Sequence, residues 1–267
     1  MDERPATANA EHVSELAVVA AVNDFAVLRQ NLASSPMIAE GRVRLIVESG
    51  HRSAASAYNA GMLQAAESLV VFAHQDIYFP RGWDERFLGA IAAIPRDEWG
   101  VVGVFGLDER GMPAGRAWDP GVGVIGESAS APVPVVTLDE IVLIVRADSG
   151  LTFDEGLPGF HLYGTDIVQA SLKAGFAAYA VDAPVIHNAL ATFWLDSDYR
   201  AGYRYLREKW RSRLPLPTTI VPVATSDWPM IDFCLRSLSA RTLGRRRAHK
   251  RYSASLVALA RELGFAS

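Results

Sequence analysis

The chain is 267 residues long and has a single cysteine, Cys234, which excludes an intrachain disulfide framework and a cysteine-rich zinc site. It has no apolar run approaching the roughly 20 residues that span a bilayer. The runs at 16–22, 69–73 and 141–145 are only strand-length. No G-x-G-x-x-G follows the first of them; Asn23-Asp24-Phe25-Ala26 stands there instead. That argues against a Rossmann-type oxidoreductase and against the glycine-rich, basic loop of a nucleotidyltransferase. There is no excess of positive charge either. The net charge of −4 argues against a generic nucleic-acid binder, so no nucleic-acid partner is expected. With 50% hydrophobic and 21% charged residues, the chain has the material for a large core. The opening stretch, MDERPATANAEHVSE, is polar and acidic, unlike a secretory leader. The expectation is a cytoplasmic protein with a flexible tail over residues 1–13.

The charge is unevenly spread. Residues 236–251 carry seven Lys and Arg and no acid, which leaves 19 bases against 30 acids, a balance of −11, over the rest of the chain. Such a stretch is either a solvated basic face or a contact for an anionic membrane surface or a protein, and the latter would place the chain peripherally at the inner face of a membrane.

Along the chain, 16–22 (LAVVAAV) reads as a strand buried on both faces, 43–47 as a second strand and 69–73 as a third. Helices are expected over 25–32, started by a capping Asp24, and over 53–66, where Ala54, Ala57, Gly61 and Ala65 make a small face for close packing. A helix over 83–94 and a fourth strand over 101–105 complete a βαβαβαβ order, the pattern of a parallel, doubly wound sheet. Residues 106–134, rich in Gly and Pro, read as loop or hairpin. A strand is expected over 141–146, a helix over 166–174 capped by Thr165, a strand over 176–181 and a long helix capped by Ser197. In that last helix Tyr199, Tyr203, Leu206 and Trp210 form one apolar stripe, best explained as core. Two terminal helices are expected, over 226–238 and 254–264.

In such sheets ligands bind beyond the carboxyl ends of the strands. The first three strands end in Asn23-Asp24, Glu48 and His74-Gln75-Asp76. Clustered like charges repel, so three strand-end carboxylates do not serve stability. Asp76 could bind Mg²⁺ or Mn²⁺ and so neutralise a diphosphate, with His74 as a second ligand or a phosphate contact. His187, after a strand and Pro184, would complete that site, although a lone histidine is more often structural. Asp166, in the first turn of a helix, is favoured in its ionised form and suits a general base, though acids are common at helix starts in any case.

Together these residues resemble a known family. The Val22-Asn23-Asp24 strand end, the helix AYNAGMLQA at 57–65, and a strand leading into His74-Gln75-Asp76 look like a family 2 glycosyltransferase of the GT-A fold. The segment FHLYGTDIVQASLKAGFAAYAVDAPVIHN, 160–188, with Lys209-Trp210, is similar to the StrF-type branch of that family. His74 stands where that family has the first acid of its Asp-x-Asp, and Thr165 where it has the Glu of a Glu-Asp pair. The resemblance covers about residues 16–212. It implies an α/β fold with a mixed, mostly parallel sheet flanked by helices and a helical C-terminal appendage.

The expected organisation is a GT-A-like domain over 14–215, with a nucleotide-binding half (14–105) and an acceptor half (106–215), followed by the appendage (216–267). The implied activity is inverting, metal-dependent transfer of a sugar, as by a hexosyltransferase, from a nucleotide-diphosphate sugar to an acceptor hydroxyl. The implied site has Asp166 as base. Asn23, Asp24, Glu48, Asn59, Gln75 and Asp76 would contact the nucleotide. His74, Asp76 and His187 would hold the metal, and Asp139, Glu140, His161 and Tyr163 would shape the sugar and acceptor pocket. The alternative is a GT-A-like module that binds a nucleotide sugar or a partner without turnover.

Overall fold

A computed structural model describes residues 15–189, 195–242, 252 and 254–266. In chain order the strands are β1 (Leu16–Val22), β2 (Arg44–Ser49), β3 (Leu69–His74), β4 (Ile77–Tyr78), β5 (Trp99–Gly103), β6 (Phe105–Leu107), β7 (Pro113–Asp119), β8 (Gly123–Glu127), β9 (Val133–Pro134), β10 (Thr137–Leu138), β11 (Val142–Arg146), β12 (Ala177–Ala180) and β13 (Val185–His187). The helices are α1 (Phe25–Gln30), α2 (Pro36–Ala39), α3 (Ala54–Gln64), α4 (Trp83–Ile91), α5 (Tyr163–Lys173), α6 (Ser197–Lys209), α7 (Trp228–Thr242) and α8 (Leu256–Glu262).

The main sheet has the order β2-β1-β3-β11-β5-β12-β9. Strands β2, β1, β3, β5 and β12 run the same way, while β11 and β9 run against them. The sheet is therefore mixed. The simple parallel order is corrected at its centre, where β11 lies antiparallel between β3 and β5. A second sheet, β10-β6-β7-β13-β4 with β8 on β7, is built largely from the Gly- and Pro-rich 106–134 segment expected to be loop or hairpin. The strand pairings there satisfy main-chain groups that the local sequence does not mark as strand.

The core lies on both faces of the main sheet. Val18 and Val19 on β1 are fully buried on opposite faces, each contributing about 1.5–3 kcal/mol by leaving water. Ala54, Ala57 and Gly61 on α3 are buried, which lets the helix lie close on β1. A Cβ added at Gly61 would come within 2.2 Å of Val19 Cγ1. Gly61→Ala is expected to destabilise the fold by about 1–3 kcal/mol through this overpacking, read as a lower midpoint in thermal denaturation.

The stripe Tyr199, Tyr203, Leu206 and Trp210 is buried. The core continues past residue 215 through Leu216, Val221, Val223 and Met230. Two helix starts differ from expectation. Asp196, not Ser197, caps α6 by accepting from Tyr199 N at 2.8 Å. Helix α5 begins at Tyr163, so Thr165 lies inside it, with its hydroxyl on Thr137 at 2.8 Å.

The basic stretch 236–251 begins within α7, where Arg236 pairs with Asp232; residues 243–251 lie outside the described residues. Among the described residues no helix is long and apolar enough to cross a membrane.

Candidate nucleotide-sugar and metal site

Strand registry assembles the site. β4 and β13 pair antiparallel with Ile77 opposite His187, which brings Asp76 beside that histidine. β13 runs parallel to β7 with Ile186 opposite Trp118, so His187 meets Asp119. β11 pairs with β3 through Val142 opposite Ala73, and His74 N donates to Ile141 O at 3.4 Å. The entrance to β11, Asp139-Glu140, therefore adjoins the exit of β3.

One ligand atom from each of His74, Asp76 and His187 lies within 4.8 Å of the others. The His187 ring bridges two carboxylates: Nε2 lies 3.5 Å from Asp76 Oδ1, and Nδ1 lies 3.2 Å from Asp119 Oδ2. Burial disfavours a charged ring, but Asp119 and Asp76 outweigh it and push His187 up to about 10. Burial and the nearby His187 charge press His74 down to about 4, against the pull of Asp76 and Asp139, so its ring is neutral near pH 7. Two imidazoles and a carboxylate fit a divalent cation, provided that His187 releases a proton as the cation binds. The Asp119 carboxylate on His187 and the Tyr163 hydroxyl on His74 (2.8 Å) are the outer partners that metal-binding histidines usually carry.

Asn23, Asp24 and Gln75 form a second cluster at the exits of β1 and β3. Gln75 Oε1 accepts from Asn23 N at 3.1 Å and Asp24 N at 3.0 Å, and its amide donates to Asn23 Oδ1 at 2.6 Å. Asp24 also caps α1 through Ala26 N and Val27 N. Glu48 is engaged by His51 at 2.8 Å and by Gln64.

Several expected site residues have other work. Asn59 brackets the main chain of Phe153, accepting from its N and donating to its O, both at 2.9 Å, and so tethers α3 to the loop before α5. Its amide is spent on that tether and not on a nucleotide. Asp166 is 3% exposed. Its Oδ1 accepts from Trp210 Nε1 at 2.7 Å and its Oδ2 from Lys209 Nζ at 2.8 Å. This clamps α5 to the end of α6 and leaves no exposed oxygen for an acceptor hydroxyl, so the base expected at Asp166 is not placed to act as one. Burial pushes its carboxyl up, against Lys209 and Trp210.

Asp139 is likewise occupied, accepting from Thr219 Oγ1 at 2.6 Å and Ile141 N at 3.2 Å. Glu140 is half-buried, and its main-chain carbonyl accepts from Tyr163 Oη at 3.0 Å. Burial, and then Asp139, push its carboxyl up to about 8, while hydrogen bonds from the Leu162 and Gly164 main chain pull the other way. His161 lies 3.8 Å from Asp196. Tyr163 is 2% exposed and stands behind His74, so it does not line an open pocket.

Asp119 was not singled out in the sequence. Its only signal is an aspartate ahead of Pro120-Gly121, where its Oδ1 accepts from Gly121 N at 2.7 Å.

No protein-family model matches the chain. A curated relative from Fuscovulum blasticum, described as ATP synthase subunits region ORF 6, is 26% identical over 167 residues, which is 55% of this chain. The chain spans 61% of that relative's length. Among solved structures, S. aureus TarS 1–349 in complex with UDP-GlcNAc is similar with a TM-score of 0.50 at 14% identity, over 84% of this chain and 72% of that one. Mannosyltransferase PcManGT from Pyrobaculum calidifontis, in complex with GDP-Man and Mn²⁺, gives 0.48 at 12% identity, over 95% and 80%. GalNAc-T7 gives 0.49 at 14% identity over 74% of this chain, which spans 48% of its length. The chain thus has the mixed α/β fold of the GT-A glycosyltransferases.

Proposed function

We propose that the protein transfers a sugar from a nucleoside-diphosphate sugar to an acceptor hydroxyl, with inversion at the anomeric carbon. The observation that carries this is the convergence of His74, Asp76 and His187 at strand ends of a GT-A fold, backed by Asp119. The family 2 motifs, including the StrF-type segment at 160–188, support the same reading. In TarS the bound molecule is UDP-GlcNAc.

Asn23, Asp24 and Gln75 form an exposed polar edge suited to the nucleoside, and Glu48, opposite Ala21 on the neighbouring strand, suits the ribose. A divalent cation held by His74, Asp76 and His187 would neutralise the leaving diphosphate. A donor set with two imidazoles suits Mn²⁺ better than Mg²⁺, which prefers oxygen ligands. Glu140 takes the base role: it is partly exposed, its main chain is joined to His74 through Tyr163, and its carboxyl is pushed up to about 8. Its raised pKa makes it a strong proton acceptor once ionised.

Incubation with UDP-, GDP- and dTDP-sugars plus Mn²⁺ tests this reading. Hydrolysis or transfer of one donor, together with thermal stabilisation by it, is the expected result. The sealed Asp166 favours a second reading, a nucleotide-sugar-binding module without turnover. Stabilisation without donor breakdown would establish that reading, and neither effect would remove both. In calorimetry, Asp76→Ala is expected to weaken Mn²⁺-dependent binding of the nucleoside diphosphate by at least about tenfold. Equal affinity with and without Mn²⁺ in the unaltered protein would remove the cation from the site.

A further inference from the structure

We infer that Tyr163 holds His74 as the Nε2–H tautomer, so that the Nδ1 lone pair of His74 is the one offered to a cation beside Asp76 and His187. This rests on the cation reading above only for its second half; the tautomer stands on the hydrogen bonds alone.

The argument is a count of protons at one buried oxygen. Tyr163 Oη meets three groups: the Glu140 main-chain carbonyl at 3.0 Å, His74 Nε2 at 2.8 Å and Tyr58 Oη at 3.3 Å. A carbonyl can only accept, so the one proton of Tyr163 goes to Glu140 O. Its two lone pairs then receive the other two groups, and both must donate. Tyr58 can do so through its hydroxyl. His74 can do so only if Nε2 carries hydrogen, and a neutral imidazole carries one proton. Nδ1 is therefore the bare nitrogen. The reverse arrangement, with Tyr163 donating to His74, would leave the Glu140 carbonyl without this partner and put the ring proton on Nδ1, where it would compete with a cation.

The backbone keeps the tyrosine in place. Leu162, just before it, is the one non-glycine residue with positive φ (66°) among the described residues. Such a conformation costs of order 1–3 kcal/mol and persists where its surroundings enforce it. Here the Leu162 and Gly164 main chain bonds the Glu140 carboxylate while the Glu140 carbonyl takes the Tyr163 proton. A Cβ at Gly164 would meet Leu138 O at 2.4 Å, so the start of α5 is seated directly against the strand before Glu140. Tyr163 is thus a positioning residue. It acts through His74 and does not touch a substrate.

Long-range ¹H–¹⁵N NMR of the imidazoles in the metal-free full chain reads the tautomer directly. His74 is expected as Nε2–H near pH 7, and Tyr163→Phe is expected to lose that preference. Titration with Mn²⁺ alone should show Tyr163→Phe binding about 10–100-fold more weakly. Tyr58→Phe removes a neighbouring buried hydroxyl but leaves the Tyr163 proton on the carbonyl. It is expected to keep both the tautomer and the Mn²⁺ affinity, which separates positioning from general loosening of the core. An Nδ1–H ring in the unaltered protein, or Tyr163→Phe binding Mn²⁺ as well as the parent, overturns the inference. An Nε2–H ring in a protein that takes up no Mn²⁺ would overturn the cation reading and leave the tautomer assignment standing.

Discussion

Glu140→Gln is expected to lower sugar transfer by about 10²–10⁴-fold, the usual contribution of a positioned general base. Glutamine keeps an oxygen that can accept from the Leu162 and Gly164 main chain, so the start of α5 should hold its shape. Donor affinity, read by calorimetry, should stay within about threefold, because the loss falls on the transition state and not on ground-state binding.

The pH dependence gives an independent sign. Glu140 is pushed up to about 8, so the parent should gain activity as pH rises through that value and the base form fills. Stability should move the other way. A carboxyl whose folded pKa lies above its unfolded one leaves the native state holding more protons, so the fold loses stability as pH climbs from the ordinary glutamate range toward about 8. Glu140→Gln should flatten that slope. A variant with full turnover and an unchanged pH profile would take the base role away from Glu140.

Asp166→Asn should fail in a different way. Asp166 is buried and pairs with Lys209, which is partly exposed and also pairs with Asp154, while Trp210 holds the second oxygen of Asp166. Asparagine keeps an oxygen for Trp210 and Lys209 keeps its pair with Asp154, so the cost is that of weakening one charge-assisted hydrogen bond, about 2 kcal/mol. For a chain of this size that lowers the melting midpoint by roughly 4–8 °C. Below that midpoint, turnover per folded molecule should stay within about threefold of the parent. A variant that melts normally but no longer transfers sugar would return the base role to Asp166.

These two carboxylates also show what the sequence can and cannot reveal. An acid in the first turn of a helix looks the same whether it faces a cleft or a lysine 43 residues later. Only the packing of α5 against α6 separates the two. Asp119 was missed for the same reason, since its partner His187 arrives from a strand far along the chain.

Features set by local patterning were legible. The continuous burial of β1 on both faces, the small face of α3 and the polar triplet ending β3 each follow from residues within a few positions of one another. The sequence reading joins His187 to Asp76 as the polar group that would complete one site, and the two lie 3.5 Å apart. The reversed β11 was not legible, because a buried apolar run such as VLIVR suits either strand direction. Nor was the start of α5: Thr165 has the side chain of a cap, yet its hydroxyl goes to Thr137, and the turn is made by Leu162.

Reversing one central strand has a consequence of its own. In an all-parallel sheet every loop at the ligand rim leaves a strand on its way to a helix. Because β11 runs against β3, the loop at this rim that carries Asp139 and Glu140 enters a strand instead. It arrives from β10 in the second sheet, and Thr219, on the chain beyond α6, hydrogen-bonds Asp139 from outside. His74 and Asp76 on one side and Asp139 and Glu140 on the other therefore hang on two separately anchored stretches of backbone, joined where Tyr163 touches both His74 and Glu140. Under the proposed transfer reaction, such a rim would change the alcohol it serves by altering one stretch while the stretch that carries His74 and Asp76 keeps its geometry.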